Sequence, residues 1–108
     1  MNYRKITAIF RLELLEKVER KLQTLGVCSL TVSKVKGYGE YADFYAKDWL
    51  TSHARIEIFV DKEEAETIAE GIMEAACLNM AGDGIVAILP VEKLYRIRTQ
   101  SEVPRAGE

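Results

Sequence analysis

Two short segments of the chain carry groups that are suited to holding an anion. Residues 82–85 read Gly-Asp-Gly-Ile, and residues 96–98 read Arg-Ile-Arg. Glycines let the backbone approach a ligand closely and turn its N–H groups toward it, while arginines at alternate strand positions point the same way. Together the segments predict a site for phosphate groups. Ile85 stands where such a loop usually offers a lysine.

Composition limits the kind of protein that could present this site. The chain has 108 residues, of which 48% are hydrophobic and 30% charged, with a net charge of -2. This is typical of a soluble globular domain, and the length leaves no room for separate substrate and cofactor domains. We therefore expect a sizeable site to be shared between subunits. The weak negative charge argues against bulk nucleic-acid binding.

The N-terminus and the cysteines bear on where the protein works. The first residues lack the apolar stretch of a signal peptide, and no window approaches a membrane-spanning length. A cytoplasmic protein, at most peripheral to a membrane, is expected. Cys28 and Cys77 lack C-x-x-C spacing, so reduced, packed thiols are favoured over a disulfide or a metal site.

The first half of the chain predicts a strand, a helix and a second strand. Residues 3–11 mix β-branched and aromatic types, which favours a buried strand. Apolar residues between 14 and 25 recur at a helical period, and Gly26 follows where the helix should end. Residues 30–36 alternate apolar and polar side chains, which predicts a strand.

The second half begins with a long connection of about 38–53 that has no sustained period. Its aromatic and charged content indicates a recognition loop. A strand at 55–60 follows, and then a helix in which the Asp61 side chain is expected to accept from the first-turn N–H groups. The predicted buried stripe of this helix consists of Ala65, Ile68, Ala69, Ile72, Met73 and Ala76. A strand at 85–89 and an extended piece at 94–99 complete the pattern.

This order of elements predicts an α+β fold of the ferredoxin-like βαββαβ type. It has a four-stranded antiparallel sheet, with both helices on one face and the long loop between strands 2 and 3. Residues 1–99 form a single domain, and residues 100–108 form a flexible C-terminal tail. Because the strands carry apolar residues on both sides, oligomerisation in a closed symmetric ring is expected to cover the bare face.

Three motifs in combination resemble the PII signalling protein superfamily. They are the strand and glycines of 30–39, the Gly-Asp-Gly of 82–84 and the Arg-Ile-Arg-Thr of 96–99, and the match extends over nearly the whole chain with one deletion in the long loop. The resemblance implies a homotrimer with an adenine nucleotide in each cleft between subunits. It also implies that the long loop, called the T-loop in that family, docks onto a target protein.

The resemblance also implies which residues do this work. Strand residues surround the adenine, the glycine-rich loop cradles phosphates through its backbone, and the two arginines pair with phosphate oxygens. The implied nucleotide site comprises Ile9, Thr31, Gly37, Tyr38, Gly39, Glu57, Phe59, Gly82, Asp83, Gly84, Arg96 and Arg98. The T-loop aromatics Tyr41, Phe44, Tyr45 and Trp49 either bind the partner or cluster locally, and the two alternatives weigh about equally.

Departures from the family pattern refine the expected ligand. Glu40 and Tyr41 replace the Arg-Gln pair of the nitrogen sensors, whose Gln helps to hold magnesium and 2-oxoglutarate. Ile85 replaces the lysine that grips the distal phosphates, which removes a charge-assisted contact of about 1.5–3 kcal/mol. ADP or AMP should therefore be favoured over ATP.

These departures resemble the PII-like branch linked to inorganic carbon, including carboxysome-associated members that respond to bicarbonate. The candidate bicarbonate niche is Gly37, Tyr38, Gly39, Glu40 and Arg98, although the charge of Glu40 opposes an anion unless its side chain turns away. The expected target is a protein such as a bicarbonate transporter or a carboxysome-linked protein.

Simpler interpretations stand beside these. Arg96 and Arg98 could form surface ion pairs with Glu92 or Glu102, and the glycines of 82–84 could merely make a tight turn. His53 is expected to be a solvent-facing loop residue, and since it has no nucleophile as partner, an enzyme is not expected. Two other functions remain: a nitrogen regulator of an ammonium transporter or nitrogen enzyme, and a structural or metal-tolerance trimer without nucleotide.

Overall fold

The chain forms one antiparallel sheet, two helices and a small hairpin. The computed structural model describes residues 2–37 and 51–104. Two short 3-10 turns, Leu12–Leu14 and Lys62–Glu64, lead into the helices. The elements are β1 (Tyr3–Arg11), α1 (Leu15–Thr24), β2 (Thr31–Gly37), β3 (Thr51–Asp61), α2 (Ala65–Ala76), β4 (Gly84–Val91), β5 (Tyr95–Arg96) and β6 (Ser101–Glu102).

The main sheet has the strand order β2-β3-β1-β4, and every neighbouring pair is antiparallel. In the centre, Ile6 of β1 lies opposite Ile58 of β3 and Ile88 of β4. Leu22 of α1 and Ile72 of α2 belong to the same buried cluster as Ile6, so both helices cover one face. The ferredoxin-like prediction is confirmed.

The end of α1 shows how local sequence places an element. Gly26 has a φ of +85°, which a glycine adopts without steric cost. Its N–H donates to Gln23 O at 3.1 Å, and the N–H of Val27 donates to Leu22 O at 3.0 Å. These are the two bonds of a Schellman motif, so the predicted end of the helix at Gly26 is confirmed.

The second helix differs from expectation in two respects. Asp61 makes no side-chain capping bond, because a 3-10 turn separates it from α2. Met73 is 50% exposed rather than buried, whereas Gly71 and Ala75 are buried. A Cβ on Gly71 would lie 2.5 Å from Leu25 Cδ1, so the helices cross closely at this glycine. The buried face of α2 therefore includes Gly71 and Ala75 and excludes Met73.

The C-terminal part of the described chain forms a small hairpin. Residues 94–99 are not one extended piece, because β5 is followed by a turn at 97–100 and then by β6. The N–H of Val103 donates to Leu94 O at 2.9 Å, and the Tyr3 hydroxyl donates to Pro104 O. The chain from Gln100 to Pro104 thus belongs to a folded hairpin, which differs from the expected loose tail.

The long connection is shorter than predicted at its C-terminal end, because β3 already begins at Thr51. Pro90 lies in β4 at the edge of the sheet, as its missing N–H favours. Across the described ranges, no helix combines the length and apolarity that crossing a membrane requires.

Candidate phosphate-binding site

The two predicted phosphate-binding segments lie at opposite ends of the sheet. Phe10 pairs with Gly84 at one end of β4, and Tyr3 pairs with Val91 at the other. We call these the loop end, which carries residues 77–83, and the hairpin end, which carries residues 95–102. The eight residues of β4 separate them by roughly 23 Å at about 3.3 Å per residue. Within one chain, a single phosphate cannot contact both segments.

Strand residues predicted to surround the adenine lie on the sheet face that the helices leave bare. Thr31 pairs with Glu57, and Glu57 pairs with Thr7 of β1. Glu57 also forms an ion pair with Lys5, with 3.3 Å between Lys5 Nζ and Glu57 Oε2. By the alternation of a strand, Ile9 and Phe59 share this face with Glu57. The structure therefore groups Ile9, Thr31, Glu57 and Phe59.

The glycines at the loop end are required by the fold itself. Gly84 has a φ of +118°, and a Cβ there would lie 2.0 Å from Ile9 O. Gly82 has a φ of +93° and is buried. Both positions exclude other residues without reference to a ligand, which supports the tight-turn interpretation of these glycines.

The Asp83 side chain accepts hydrogen bonds from the backbone of its own loop. Its Oδ2 accepts hydrogen bonds from the N–H of Leu78 at 3.1 Å and from the N–H of Met80 at 3.2 Å. Its Oδ1 lies 3.5 Å from Arg11 Nε. The carboxylate thus organises the loop, and any phosphate contact in this segment falls to the backbone.

The pKa of Asp83 is lowered from its ordinary value of 3.8. Burial opposes ionisation, but hydrogen bonds from the Met80 and Leu78 amides and the Cys77 thiol, together with the Arg11 charge, outweigh it. Asp83 is therefore ionised at neutral pH and holds these donors as an anion.

Arg11 contacts the glycine-rich loop, although the sequence did not indicate a role for it. This last residue of β1 is only 8% exposed, and its Nη2 donates to Ala81 O at 2.7 Å. Its cross-strand neighbour His53 is 2% exposed and lies in β3, so the prediction of a solvent-facing loop histidine is wrong. The alternation of Thr7, Ile9 and Arg11 placed Arg11 on the bare face, but nothing local indicated a partner seventy residues away.

The hairpin arginines are arranged differently from the prediction. Arg96 lies in β5, whereas Arg98 lies in the turn, so strand alternation does not align them. Both are exposed, and within the described part of the chain neither forms an ion pair with Glu92 or Glu102. Their guanidinium groups are accessible to an anion.

An apolar cavity of about 230 Å³ adjoins the loop end. Its lining includes Gly84, Met73 of α2 and Ile85, and Ile85 is 44% exposed. Cys77 also lines it. Cys77 and Cys28 are free, as expected, but exposed rather than packed in the core. The position after Gly84 thus presents an apolar surface.

The base of the T-loop lies at the same end as this cavity. Gly37 is buried and pairs with Thr51. The other predicted loop residues, Tyr38, Gly39, Glu40, Tyr41, Phe44, Tyr45 and Trp49, lie outside the described residues. Among residues 2–37 and 51–104, no group of three or more His, Cys, Asp or Glu side chains could hold a metal ion.

A ferredoxin-like sheet with a glycine-rich loop at one end and an arginine hairpin at the other defines a small α+β protein with two candidate anion-binding segments. The family model described as "Nitrogen regulatory protein P-II" matches residues 3–101, and the chain belongs to that family.

Individual relatives agree with this assignment. "Nitrogen regulatory protein P-II 1" of Methanothermobacter thermautotrophicus is 39% identical over 104 residues, covering 89% of this chain and 90% of that protein. "Nitrogen regulatory protein P-II" of Pasteurella multocida is 33% identical over 107 residues, covering 92% and 95%. The crystal structure of Arabidopsis thaliana PII bound to citrate has a TM-score of 0.80 and 29% identity, covering 94% of this chain and 86% of that one.

Proposed function

We propose that this chain is a non-catalytic PII regulatory protein that binds an adenine nucleotide in clefts between the subunits of a homotrimer. The observation that carries the proposal is the separation of the loop end from the hairpin end. The glycine-rich segment and the accessible arginines can serve one ligand only if different copies supply them.

The same geometry supports a closed ring of copies, of which the proposed trimer is one. A loop end that meets the hairpin end of the next copy is a head-to-tail contact, and such contacts close into a ring when the rotation fits. Exposed Phe59, Ile85 and Leu89 lie on the bare face and need cover from water. A closed ring covers this face and completes the clefts.

Ile85 supports a preference for ADP or AMP over ATP. It follows Gly84 directly and is half-exposed beside the cavity, but its side chain offers neither charge nor hydrogen bond. A third phosphate therefore gains no charge-assisted contact there, whereas Arg96 and Arg98 of a neighbouring copy serve the inner phosphates.

Bicarbonate is the second ligand of the proposal, and the T-loop is the element that engages the target. The niche combines the T-loop base, Gly37 to Glu40, with Arg98. Since Gly37 lies at the loop end and Arg98 at the hairpin end, this niche also needs two copies. The Arabidopsis PII structure contains citrate, so a protein of this fold accepts a small carboxylate anion. The target is a protein such as a bicarbonate transporter or a carboxysome-linked protein in the cytoplasm.

Calorimetry with ADP, AMP and ATP, each with and without bicarbonate, tests the proposal. We expect ADP and AMP to bind at least as tightly as ATP, and bicarbonate to change the affinity by linkage. The absence of nucleotide binding would overturn the proposal in favour of a structural or metal-tolerance trimer. A strong preference for ATP would show that Ile85 does not limit the site.

Nitrogen regulation is the second candidate, with an ammonium transporter or a nitrogen-metabolism enzyme as the target. The names of the Methanothermobacter and Pasteurella relatives, both nitrogen regulatory proteins, favour it. Binding of 2-oxoglutarate in the presence of magnesium and ATP would support this role. Tyr41, in place of the glutamine that holds these ligands in the resembled nitrogen sensors, predicts that 2-oxoglutarate does not bind.

A further inference from the structure

We infer that Arg11 is a positioning residue that sets the conformation of the α2–β4 loop, residues 77–83, and thereby the affinity of this loop for an anion. The part that concerns the ligand rests on the proposed function. The part that concerns the loop conformation stands on the contacts of the free chain.

Arg11 holds two separate points of the loop at once. Nη2 donates to Ala81 O at 2.7 Å, and Nε faces Asp83 Oδ1 at 3.5 Å. The arginine is the last residue of β1, a strand paired on both sides by β3 and β4. Its side chain therefore connects the α2–β4 loop to the end of a central strand. The side chain is buried, so most water is excluded from this contact.

Asp83 extends this hold to the start of the loop. While one oxygen faces Arg11, the other accepts from the N–H groups of Leu78 and Met80. A single guanidinium and carboxylate thus fix backbone positions from residue 78 to residue 83.

The pair is also mutually dependent. Arg11 Nε and Asp83 Oδ1 are buried and have no hydrogen-bond partner among the described residues. These two atoms face each other at 3.5 Å with opposite charge, so the loss of one partner leaves the other buried and less well compensated.

Arginine suits this position better than lysine does. Its planar fork carries donors on different nitrogens, so that one can face Ala81 O while another faces Asp83, whereas a lysine has one ammonium group to share. Holding the loop before a ligand arrives reduces the ordering that binding would otherwise require. Arg11 would thereby raise affinity without touching the ligand.

The experiment compares Arg11→Met and Arg11→Lys with the control Arg4→Met. Arg4 is matched to Arg11 because it lies on β1 and donates to a backbone carbonyl, Tyr3 O, at 2.8 Å, but at the hairpin end. Two measurements are made on the full chain: amide hydrogen exchange of residues 77–84 without ligand, and calorimetric affinity for ADP.

We expect Arg11→Met to speed exchange in residues 77–84 and to weaken ADP binding about tenfold, because the loop must then be ordered when the ligand binds. Arg11→Lys should lie between Arg11→Met and the native chain, and Arg4→Met should change neither measurement. If Arg11→Met leaves loop exchange at the native rate, the inference is overturned.

The two proposals can fail separately. If the native chain does not bind ADP but Arg11→Met still speeds loop exchange, the loop role of Arg11 stands and the nucleotide proposal falls. If Arg11→Met does not fold, the double variant Arg11→Met/Asp83→Asn removes the stranded carboxylate. A folded double variant with native loop exchange would overturn the inference.

Discussion

The loop end and the hairpin end of the sheet carry the same kinds of groups and use them differently. At the loop end, the charges of Arg11 and Asp83 face each other, and both side chains hydrogen-bond to the backbone of residues 78–81. At the hairpin end, Arg96 and Arg98 point into solvent, and within the described residues no carboxylate pairs with either. Charge at one end therefore builds the fold, while charge at the other remains accessible to a ligand.

This difference predicts that variants at the two ends will separate stability from binding. Loop-end substitutions should lower the free energy of unfolding, whereas hairpin-end substitutions should lower affinity and leave stability unchanged.

Gly84→Ala should destabilise the chain most. The added methyl group would meet Ile9 O at 2.0 Å, at a φ of +118° that alanine rarely adopts. We expect a loss of about 3 kcal/mol or more in the free energy of unfolding. Urea unfolding measures it.

Gly26→Ala is the matched control for this variant. Gly26 also has a positive φ, +85°, but a Cβ there would have nothing within 4 Å. Its cost should be about 1–2 kcal/mol, which is the penalty of a left-handed backbone conformation alone. Equal losses in the two variants would show that the close approach to β1 does not matter.

Arg96→Gln and Arg98→Gln should weaken nucleotide binding without unfolding the protein. Each removes an accessible guanidinium that contacts phosphate in the proposal, which corresponds to about tenfold in the dissociation constant of ADP. Calorimetry measures the affinity, and thermal unfolding should show an unchanged midpoint.

Lys93→Gln provides the control for general electrostatic attraction, since it removes one nearby positive charge from the same exposed region. If it weakens ADP binding as much as the arginine variants do, the two arginines have no specific role.

Ile85→Lys should add a contact with the third phosphate of ATP. A lysine at this half-exposed position next to Gly84 would add a charge-assisted contact, so ATP should gain about tenfold in affinity relative to ADP. Ile85→Met keeps the position apolar and should leave the ratio as it is. An unchanged ratio in the lysine variant would place the distal phosphate elsewhere.

The smallest effect concerns acid stability. The pKa of Asp83 is lower in the folded chain than its ordinary value of 3.8, so ionised Asp83 stabilises the fold above that pH. This contribution should be lost as the pH falls below 3.8 and through the folded-state pKa. Urea unfolding at a series of acidic pH values should show a shallower acid loss for Asp83→Asn than for the native chain.

Asp61→Asn is the control, because Asp61 makes no side-chain capping bond. It should retain the native dependence on pH. If Asp83→Asn retains it as well, the hydrogen bonds to Leu78 and Met80 do not depend on the charge.

Local patterns predicted the elements well where neighbours in sequence decide the outcome. Alternation placed Ile56, Ile58 and Val60 in the core, and Gly26 ended its helix. The prediction that Met73 is buried was wrong, because α2 turns Gly71 toward Leu25 and leaves Met73 half-exposed. The prediction of a solvent-facing His53 was wrong because β3 begins at Thr51, before the start of its apolar pattern.

The order of strands and helices, the ferredoxin-like topology and the family motifs, including the isoleucine at position 85, could all be predicted from the sequence. These depend on residue spacing and backbone preference, which act over a few residues. Two features became visible in the tertiary structure alone: the two predicted phosphate-binding segments lie at opposite ends of one sheet, and Arg11 holds the glycine-rich loop. Both depend on the antiparallel pairing of β1 with β4, strands that lie more than seventy residues apart in the chain.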